Sequence, residues 1–208
     1  MIGNWRKRDF ALFRAMRAFT SLAGHLLIAM PSIQDPNFER SVVLLCAHSE
    51  QGAMGFVLNK LAPMTMFSDL IEMTDIGEGL DDLPPDVLSI PVRLGGPVDG
   101  QRGFVVHSND REGDDMTLTV PGGYVVTATI DVLRDIALQR GPRLRLITLG
   151  YSGWSPGQLE NEILNNGWLH CPADVDLVFL QPIERLYDAA LAKLGVSLQL
   201  LSTDAGHG

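Results

Sequence analysis

Cys46 and His48 are the two residues of this sequence whose types and spacing suggest covalent chemistry. They stand two positions apart in an apolar run predicted as a strand, so we expect their side chains on the same face of a sheet. A histidine beside a thiol could act as the base that activates a cysteine nucleophile, but such a pair also needs a third group that orients the base. The sequence places no such group, and buried cysteine and histidine residues more often have a structural role.

His170 and Cys171 add two further side chains of the types that bind zinc. Adjacent strand residues point to opposite faces of a sheet, so both could join one site only if their strand were broken. The sequence contains no Cys-x-x-Cys pair. We therefore predict no metal site and no required cofactor.

Polar residues in the loops between the predicted buried strands are the first candidates for ligand binding. Asp35 and Arg40 lie in the loop after the first strand, Asn59 ends the third strand, and Arg93 precedes a Gly-Gly-Pro turn. An arginine fork matches a carboxylate or a phosphate, so this turn could bind an anion. The alternative is that Arg93 pairs with one of the many acidic residues. Loops held by a rigid scaffold are where binding usually occurs.

The segment YSGWSPGQLENEILNNGWL, residues 151–169, contains the other candidates, which are Ser152, Trp154, Ser155 and Gln158. Ser155 with Gln158 three positions later matches a capping box, and Pro156 suits the first helical position. Gly167 is predicted as the left-handed residue that follows the helix. The exposed N–H groups of such a turn could bind an anion. The more frequent role of these residues is to cap the helix, while Trp154 packs.

Hydrophobic periodicity and turn residues define the elements that position these candidates. They predict strands at 25–30, 41–48, 53–59, 90–94, 103–107, 116–120, 124–129, 143–150 and 177–180, with helices at 67–73, 131–140, 156–166 and 183–194. A further strand is expected after residue 167. Because strands cluster early and helices lie between later strands, we predict an α+β fold with a mostly antiparallel, strongly curved sheet and helices packed outside.

Composition and charge narrow the class of protein. The chain has 208 residues, of which 46% are hydrophobic and 20% charged, and its formal net charge is −9. These values favour one soluble domain, and the acidic balance disfavours direct binding of nucleic acid. No apolar run is long enough to span a bilayer, and there is no secretory signal. The two cysteines form no disulfide framework, so we expect a cytoplasmic protein.

The N-terminal segment differs in character from the rest of the chain. Against the single acid Asp9 it carries the basic residues Arg6, Lys7, Arg8, Arg14 and Arg17. We predict that residues 1–21 are a loosely ordered basic extension, that 22–200 form the domain and that 201–208 are a flexible tail. Alternatives for the extension are weak contact of residues 1–20 with a membrane surface, a transit peptide, or a true start at Met16.

Three sequence blocks resemble the YqgE/AlgH family of bacterial proteins. They are GHLLIAMPSIQDPNFERSVVLLCAHSEQGAMGFVLNK at residues 24–60, RLGGPVDGQRGFVVHS at 93–108 and the segment at 151–169. The resemblance covers residues 22–194 and implies a sheet that closes into a pseudo-barrel. The family is largely uncharacterised, and one member is named for the regulation of alginate synthesis. The resemblance therefore implies no catalytic residues and carries the label of a transcriptional regulator.

Three functions follow from these observations. The first is a non-enzymatic regulatory or binding protein that acts through an unidentified protein or small-molecule partner. The second is a thiol-dependent or hydrolytic enzyme that uses Cys46 and His48. The third is a direct DNA-binding regulator, which the net charge of −9 disfavours.

Overall fold

The computed structural model of the chain describes residues 21–74, 76, 82–111 and 116–196. The predictions for residues 1–20 and for the tail lie outside the described residues. Within them the strands are β1 His25–Ala29, β2 Val42–Ser49, β3 Gly52–Val57, β4 Leu61–Met66, β5 Pro91–Leu94, β6 Val98–Ser108, β7 Thr117–Val120, β8 Tyr124–Thr127, β9 Arg145–Trp154 and β10 Trp168–Pro172. The α-helices are α1 Phe67–Glu72, α2 Pro85–Leu88, α3 Ile130–Ala137, α4 Gln158–Leu164 and α5 Ile183–Lys193. None of these helices is both long and apolar enough to cross a membrane.

The strands form one mostly antiparallel sheet. Its main path runs β10–β1–β2–β3–β9–β6–β8–β7, and β5 with β4 branches from it beside β9. The pairing of β5 with β9 is parallel, whereas the pairing of β4 with β5 and all pairings along the main path are antiparallel. The predicted α+β class and antiparallel sheet are therefore confirmed.

The sheet curls strongly, as shown by one apolar cluster that contains residues of strands near both ends of the strand order. Leu26 of β1 and Val120 of β7 belong to the same cluster and are both buried. A Cβ built on Gly24, just before β1, would lie 2.5 Å from the Pro121 carbonyl oxygen in the turn between β7 and β8. These contacts require a half-barrel whose concave face encloses the main core, so the predicted curvature is confirmed.

Two further apolar clusters lie on the outside of the curled sheet. One packs α1, α2 and α3 against β5, β6 and β9, and the other packs α4 against β1, β2 and β3. Helix α5 covers the open side of the half-barrel, where Leu186 and Tyr187 join the main core. The Tyr187 hydroxyl donates to the carbonyl of Ala29 at 2.6 Å and so links α5 to β1.

The prediction of a strand at residues 177–180 is wrong. Residues Asp176–Leu180 form a π-helical turn instead. The Asp174 carboxylate accepts the Leu177 N–H at 2.8 Å, and the Asp174 carbonyl accepts the Val178 N–H at 3.0 Å. A side-chain acceptor at this position favours a helical start over an extended chain, and the apolar run alone does not distinguish the two.

Strand β4 has no counterpart in the sequence prediction. It is largely exposed, contains Pro63 and pairs only with β5 among the described strands. An edge strand of this kind tolerates proline and lacks the buried alternation by which strands are recognised.

Gly95 is the first position at which we predict a stability effect. A Cβ at Gly95 would lie 2.3 Å from the Gly150 carbonyl oxygen and 3.0 Å from Phe56 Cδ1, whereas one at Gly100 would meet nothing within 4 Å. We expect Gly95→Ala to lower the free energy of unfolding by about 1–3 kcal/mol through overpacking. The matched change Gly100→Ala should alter it by less than about 0.5 kcal/mol. Urea unfolding measures both, and equal stabilities of the two variants would contradict the packing described for Gly95.

Candidate functional site

A pocket of about 780 Å³ opens between the loop after β1 and helix α4. Trp154, the last residue of β9, and Trp168, the first of β10, are both largely buried and line its floor. Phe38 and Asp35 line it from the loop side. Helix α4 and the residue that follows it contribute four further side chains, which are Gln158, Asn161, Glu162 and, just after the helix, Asn165. The spacing of these four places them on one face of the helix.

The carboxylate of Glu162 joins the helix to both strand ends. Its Oε2 accepts the indole N–H of Trp154 at 2.9 Å and that of Trp168 at 2.7 Å. Its Oε1 accepts the side-chain amide of Gln158 at 2.9 Å. Hydrogen bonds to an ionised acceptor are roughly twice as strong as neutral ones, so this residue fixes the orientation of both indole rings.

The start of α4 differs from the predicted one. The helix begins at Gln158 rather than at Pro156, because Gly157 has a left-handed φ of 74° that no right-handed helix contains. One half of the predicted capping box is present, since the Gln158 Oε1 accepts the Ser155 N–H at 3.0 Å. The Ser155 hydroxyl caps no N–H of the helix.

The end of α4 also differs from the predicted one. Asn166, with φ 56°, is the left-handed residue that follows the helix, in the place predicted for Gly167. Asparagine is the residue other than glycine that most readily adopts this conformation, so the turn keeps its geometry.

The loop after β1 presents Phe38 to the two tryptophans. The Asp35 Oδ1 accepts the backbone N–H of Asn37 at 2.8 Å, and the Asp35 carbonyl accepts that of Phe38 at 2.8 Å. This tight turn places the Phe38 ring 6.1 Å from Trp154 and 5.6 Å from Trp168, measured between ring centroids. The two indoles are themselves 6.0 Å apart in an edge-to-face arrangement, so three aromatic rings pack together beside the pocket.

The electrostatic character of the pocket is acidic. Asp35 and Glu162 are the charged residues in its lining, and the lining contains no lysine, arginine or histidine among the residues that the structure describes. Neither carboxylate forms an ion pair with a described residue. The arrangement therefore suits a ligand with apolar surface and a positive charge or several hydrogen-bond donors.

Four of the eight ligand-binding candidates from the sequence line this pocket: Asp35, Trp154, Ser155 and Gln158. Ser152 does not, because its side chain is fully buried and its hydroxyl donates to the Gly95 carbonyl at 3.1 Å. Asn59 bridges two backbone segments, as its Oδ1 accepts the Val42 N–H and its Nδ2 donates to the Arg40 carbonyl, both at 2.8 Å.

The two arginine candidates also lie away from the pocket. Arg93 is buried and donates through Nη1 to the Leu58 carbonyl, and burial lowers the pKa of its guanidinium to about 10. It has no carboxylate partner among the described residues, and it does not line the pocket. Arg40, in the loop after β1, is exposed and its guanidinium lies against α5. One of its nitrogens is 3.4 Å from the carboxylate of Asp188, and the group lies over the ring of Tyr187.

Cys46 and His48 face opposite sides of the sheet, so the prediction of a shared face is wrong. Leu45 pairs with Gly55 and Ala47 pairs with Met54, which leaves Cys46 as the extra residue of a β-bulge. A bulge shifts the alternation of side chains by one position. The Cys46 thiol therefore points into the main core, and burial raises its pKa well above the ordinary value.

His48 instead positions helix α4. Its Nδ1 accepts the backbone N–H of Leu22 at 3.0 Å, so the ring hydrogen lies on Nε2, which donates to the Glu160 carboxylate at 2.8 Å. The hydrogen bonds of the histidine thus connect the start of the domain, strand β2 and the first turn of α4. This geometry suits a structural role.

Phe38, Glu162 and Trp168 are among the pocket residues that sequence reasoning missed. Glu162 lies one helical turn after Gln158, so the two side chains share one face of α4. Gln158 is one of the candidates predicted from the sequence. Trp154 and Trp168 flank this helix in the sequence. A search for side chains on one helix face, together with the aromatic residues at both ends of the helix, would have found two of the three.

The shared acceptor predicts energetic coupling between the tryptophans. We expect Trp154→Phe and Trp168→Phe each to lower the free energy of unfolding by about 1.5–3 kcal/mol, because each removes a hydrogen bond to a charged group. Both indoles donate to the same oxygen, so the loss in the double variant should differ from the sum by at least about 0.5 kcal/mol. Chemical unfolding of the four proteins measures this cycle. Strict additivity would mean that the Glu162 carboxylate does not couple the two rings.

Burial of Cys46 predicts an unreactive thiol. The raised pKa keeps the thiolate fraction very small at pH 8, and the side chain is 2% exposed. In a Cys171→Ser variant, a thiol reagent should therefore label Cys46 only as fast as the protein unfolds. The same sample in denaturant should label completely, which shows that the thiol is intact. Rapid labelling of the folded variant would revive the thiol-enzyme hypothesis.

Comparisons with known proteins agree with this architecture. A family model described as DUF179, AlgH-like, matches residues 26–199. A UPF0301 protein of Afipia carboxidovorans is 49% identical over 190 residues, which cover 90% of each chain. A UPF0301 protein of Rhodopseudomonas palustris is 50% identical over 188 residues, which cover 89% of this chain and 86% of the relative.

Two solved structures resemble the fold. The solution structure of the AlgH protein from Pseudomonas aeruginosa has a TM-score of 0.70 and 41% identity, and the match covers 93% of this chain and 100% of that one. A crystal structure of a protein from Corynebacterium diphtheriae, with a TM-score of 0.65 and 22% identity over 92% of this chain and 97% of its own, supports the fold alone. The chain thus belongs to the AlgH-like family, which is also called UPF0301 and corresponds to the YqgE/AlgH resemblance seen in the three sequence blocks.

Proposed function

We propose that this protein is a non-enzymatic binding protein with a regulatory role, and that it holds a small ligand or a segment of a partner protein in the pocket beside α4. The observation that carries the proposal is the fixed wall of that pocket. Glu162 orients Trp154 and Trp168 through their indole N–H groups, so the pocket keeps its shape without a ligand. Preorganised walls of this kind lower the entropic cost of binding.

The enzyme alternative receives less support. A thiol mechanism needs a base within hydrogen-bond reach of the sulfur, whereas Cys46 and His48 lie on opposite faces of β2. The Cys46 thiol donates to the Leu44 carbonyl at 3.5 Å, and a carbonyl does not activate a thiol.

Direct DNA binding also fits poorly. The pocket lining is acidic and the formal net charge is −9, so both would repel a phosphate backbone. A regulatory role would then be exerted through protein or small-ligand contacts. We place the protein in the cytoplasm, which agrees with two buried cysteines that form no disulfide.

The proposal is tested by filling the pocket. Asn161 is exposed and lines the pocket, so Asn161→Trp adds bulk there without disturbing a buried contact. Leu164, on the same helix, is 78% exposed and lies outside the lining, which makes Leu164→Trp the matched control.

A thermal-shift screen of metabolites and a pull-down from native lysate should yield a ligand or partner that the parent protein and Leu164→Trp bind and that Asn161→Trp does not. A ligand at 100 times its Kd would stabilise the parent by about 2.7 kcal/mol. A ligand or partner bound equally by all three proteins, or repeated failure to find any, would contradict the proposal.

A further inference from the structure

We infer that the pocket beside α4 binds an alkylguanidinium group, either on a small molecule or as an arginine side chain. The inference rests on the proposed function and specifies the chemistry of the ligand. The geometry that carries it is a pair of carboxylates without cationic partners in a pocket walled by three aromatic rings.

The pocket carboxylates lack the cationic partners that three other acidic residues of the described chain have. Arg111 pairs with Asp135, Lys193 with Asp174 and Arg40 with Asp188, at 2.5–3.4 Å. Glu162 accepts neutral donors alone from the described part of the chain, and these leave its negative charge uncompensated.

Asp35 offers a free oxygen at the opposite side of the pocket. Its Oδ1 accepts both the backbone N–H and the side-chain amide of Asn37, at 2.8 and 3.0 Å. Its Oδ2 has no hydrogen-bond partner among the described residues. A cation placed between Asp35 and Glu162 would therefore meet two carboxylates that form no ion pair with a described residue, and this attraction grows as the ligand displaces water.

The aromatic rings select an organic cation with apolar surface. Phe38 is half-buried, so part of its ring remains accessible beside the buried edges of Trp154 and Trp168. Planar guanidinium groups stack on aromatic rings and are less strongly hydrated than ammonium groups, so they lose less on entering such a pocket. Their forked N–H groups also match carboxylate oxygens.

Other ligand classes fit the pocket less well. An anion would face two carboxylates without any basic residue in the described lining. A purely apolar ligand would remove both carboxylates from water without compensation. A metal ion would need more ligands, and no three His, Cys, Asp or Glu side chains in the described part of the chain come close enough to hold one.

The test uses isosteric probes of different charge on the full chain. n-Butylguanidinium and acetyl-Gly-Arg-Gly-amide carry the positive group, whereas n-butylurea and the citrulline form of the peptide are neutral and nearly equal in shape. Calorimetry measures Kd, and the indole N–H signals of Trp154 and Trp168 report the location of binding. We expect both signals to shift with the charged probes and not with the neutral ones.

Asp35→Asn is the decisive variant. The asparagine Oδ1 can still accept the Asn37 N–H, so the loop keeps its turn while the charge is removed. We expect Kd for the charged probes to rise about tenfold, as loss of one charge-assisted hydrogen bond implies. Asp86→Asn, in helix α2 of the other outer cluster and outside the pocket lining, removes the same charge and should leave Kd unchanged.

The chain itself carries Arg6, Arg8, Arg14 and Arg17, so every titration is repeated with these four changed to Gln. Binding seen only in that variant would still support a guanidinium site, because it identifies these residues as competitors. Binding of the small probe and the peptide with equal Kd indicates recognition of the guanidinium alone, and preference for the peptide indicates a protein partner.

Three outcomes overturn the inference. The first is the absence of binding of the charged probes to both the parent chain and the arginine-free variant. The second is equal binding of charged and neutral probes, and the third is a Kd that Asp35→Asn does not change. If the pocket-filling Asn161→Trp change then abolishes binding of a different ligand, the proposed function stands while the guanidinium assignment fails. If no ligand of any class is found, both fail.

Discussion

The backbone junction at Gly95 is the constraint on which the rest of the structure depends. The Gly95 N–H donates to the Leu149 carbonyl of β9, and the Gly95 carbonyl accepts the N–H of Val57 at the end of β3 and the Ser152 hydroxyl of β9. One edge of β9 can therefore pair first with β5 and then with β3. A side chain at this position would collide with backbone, so the transition requires glycine. The end of β9, with Trp154, consequently lies beside β3 and under helix α4.

Glu162 links this framework to the pocket. The carboxylate is held by hydrogen-bond donors rather than by a cation, so the same residue can fix two aromatic walls and still contribute negative charge to the space beside them. Structural and binding roles are thus combined in one side chain. A change at Glu162 would alter its structural role and its binding role together. A change at Asp35, which lies in an exposed loop, would alter mainly the charge of the pocket.

The β-bulge at Cys46 shows how one local irregularity places two nearby residues of one strand, Cys46 and His48, on opposite faces of the sheet. Without it, Cys46 and His48 would share a face and a thiol–imidazole contact would be geometrically plausible. With it, the thiol enters the main core and the imidazole binds the carboxylate of Glu160. The acidic residue beside the histidine is therefore used to attach α4 to the sheet.

The sequence by itself determined the α+β class, most strand positions and the turn-rich segment around α4, because these depend on local periodicity and on glycine, proline and capping residues. It also identified Asp35, Trp154, Ser155 and Gln158 as candidates, since they lie in or beside the loops that connect the predicted elements. Tertiary structure alone decided that these four share a pocket with Glu162, Phe38 and Trp168, and that Arg93, Ser152 and Asn59 serve the framework. The physical reason is that strand register, the bulge and the curl of the sheet arise from pairing between segments distant in the chain, which no local pattern records.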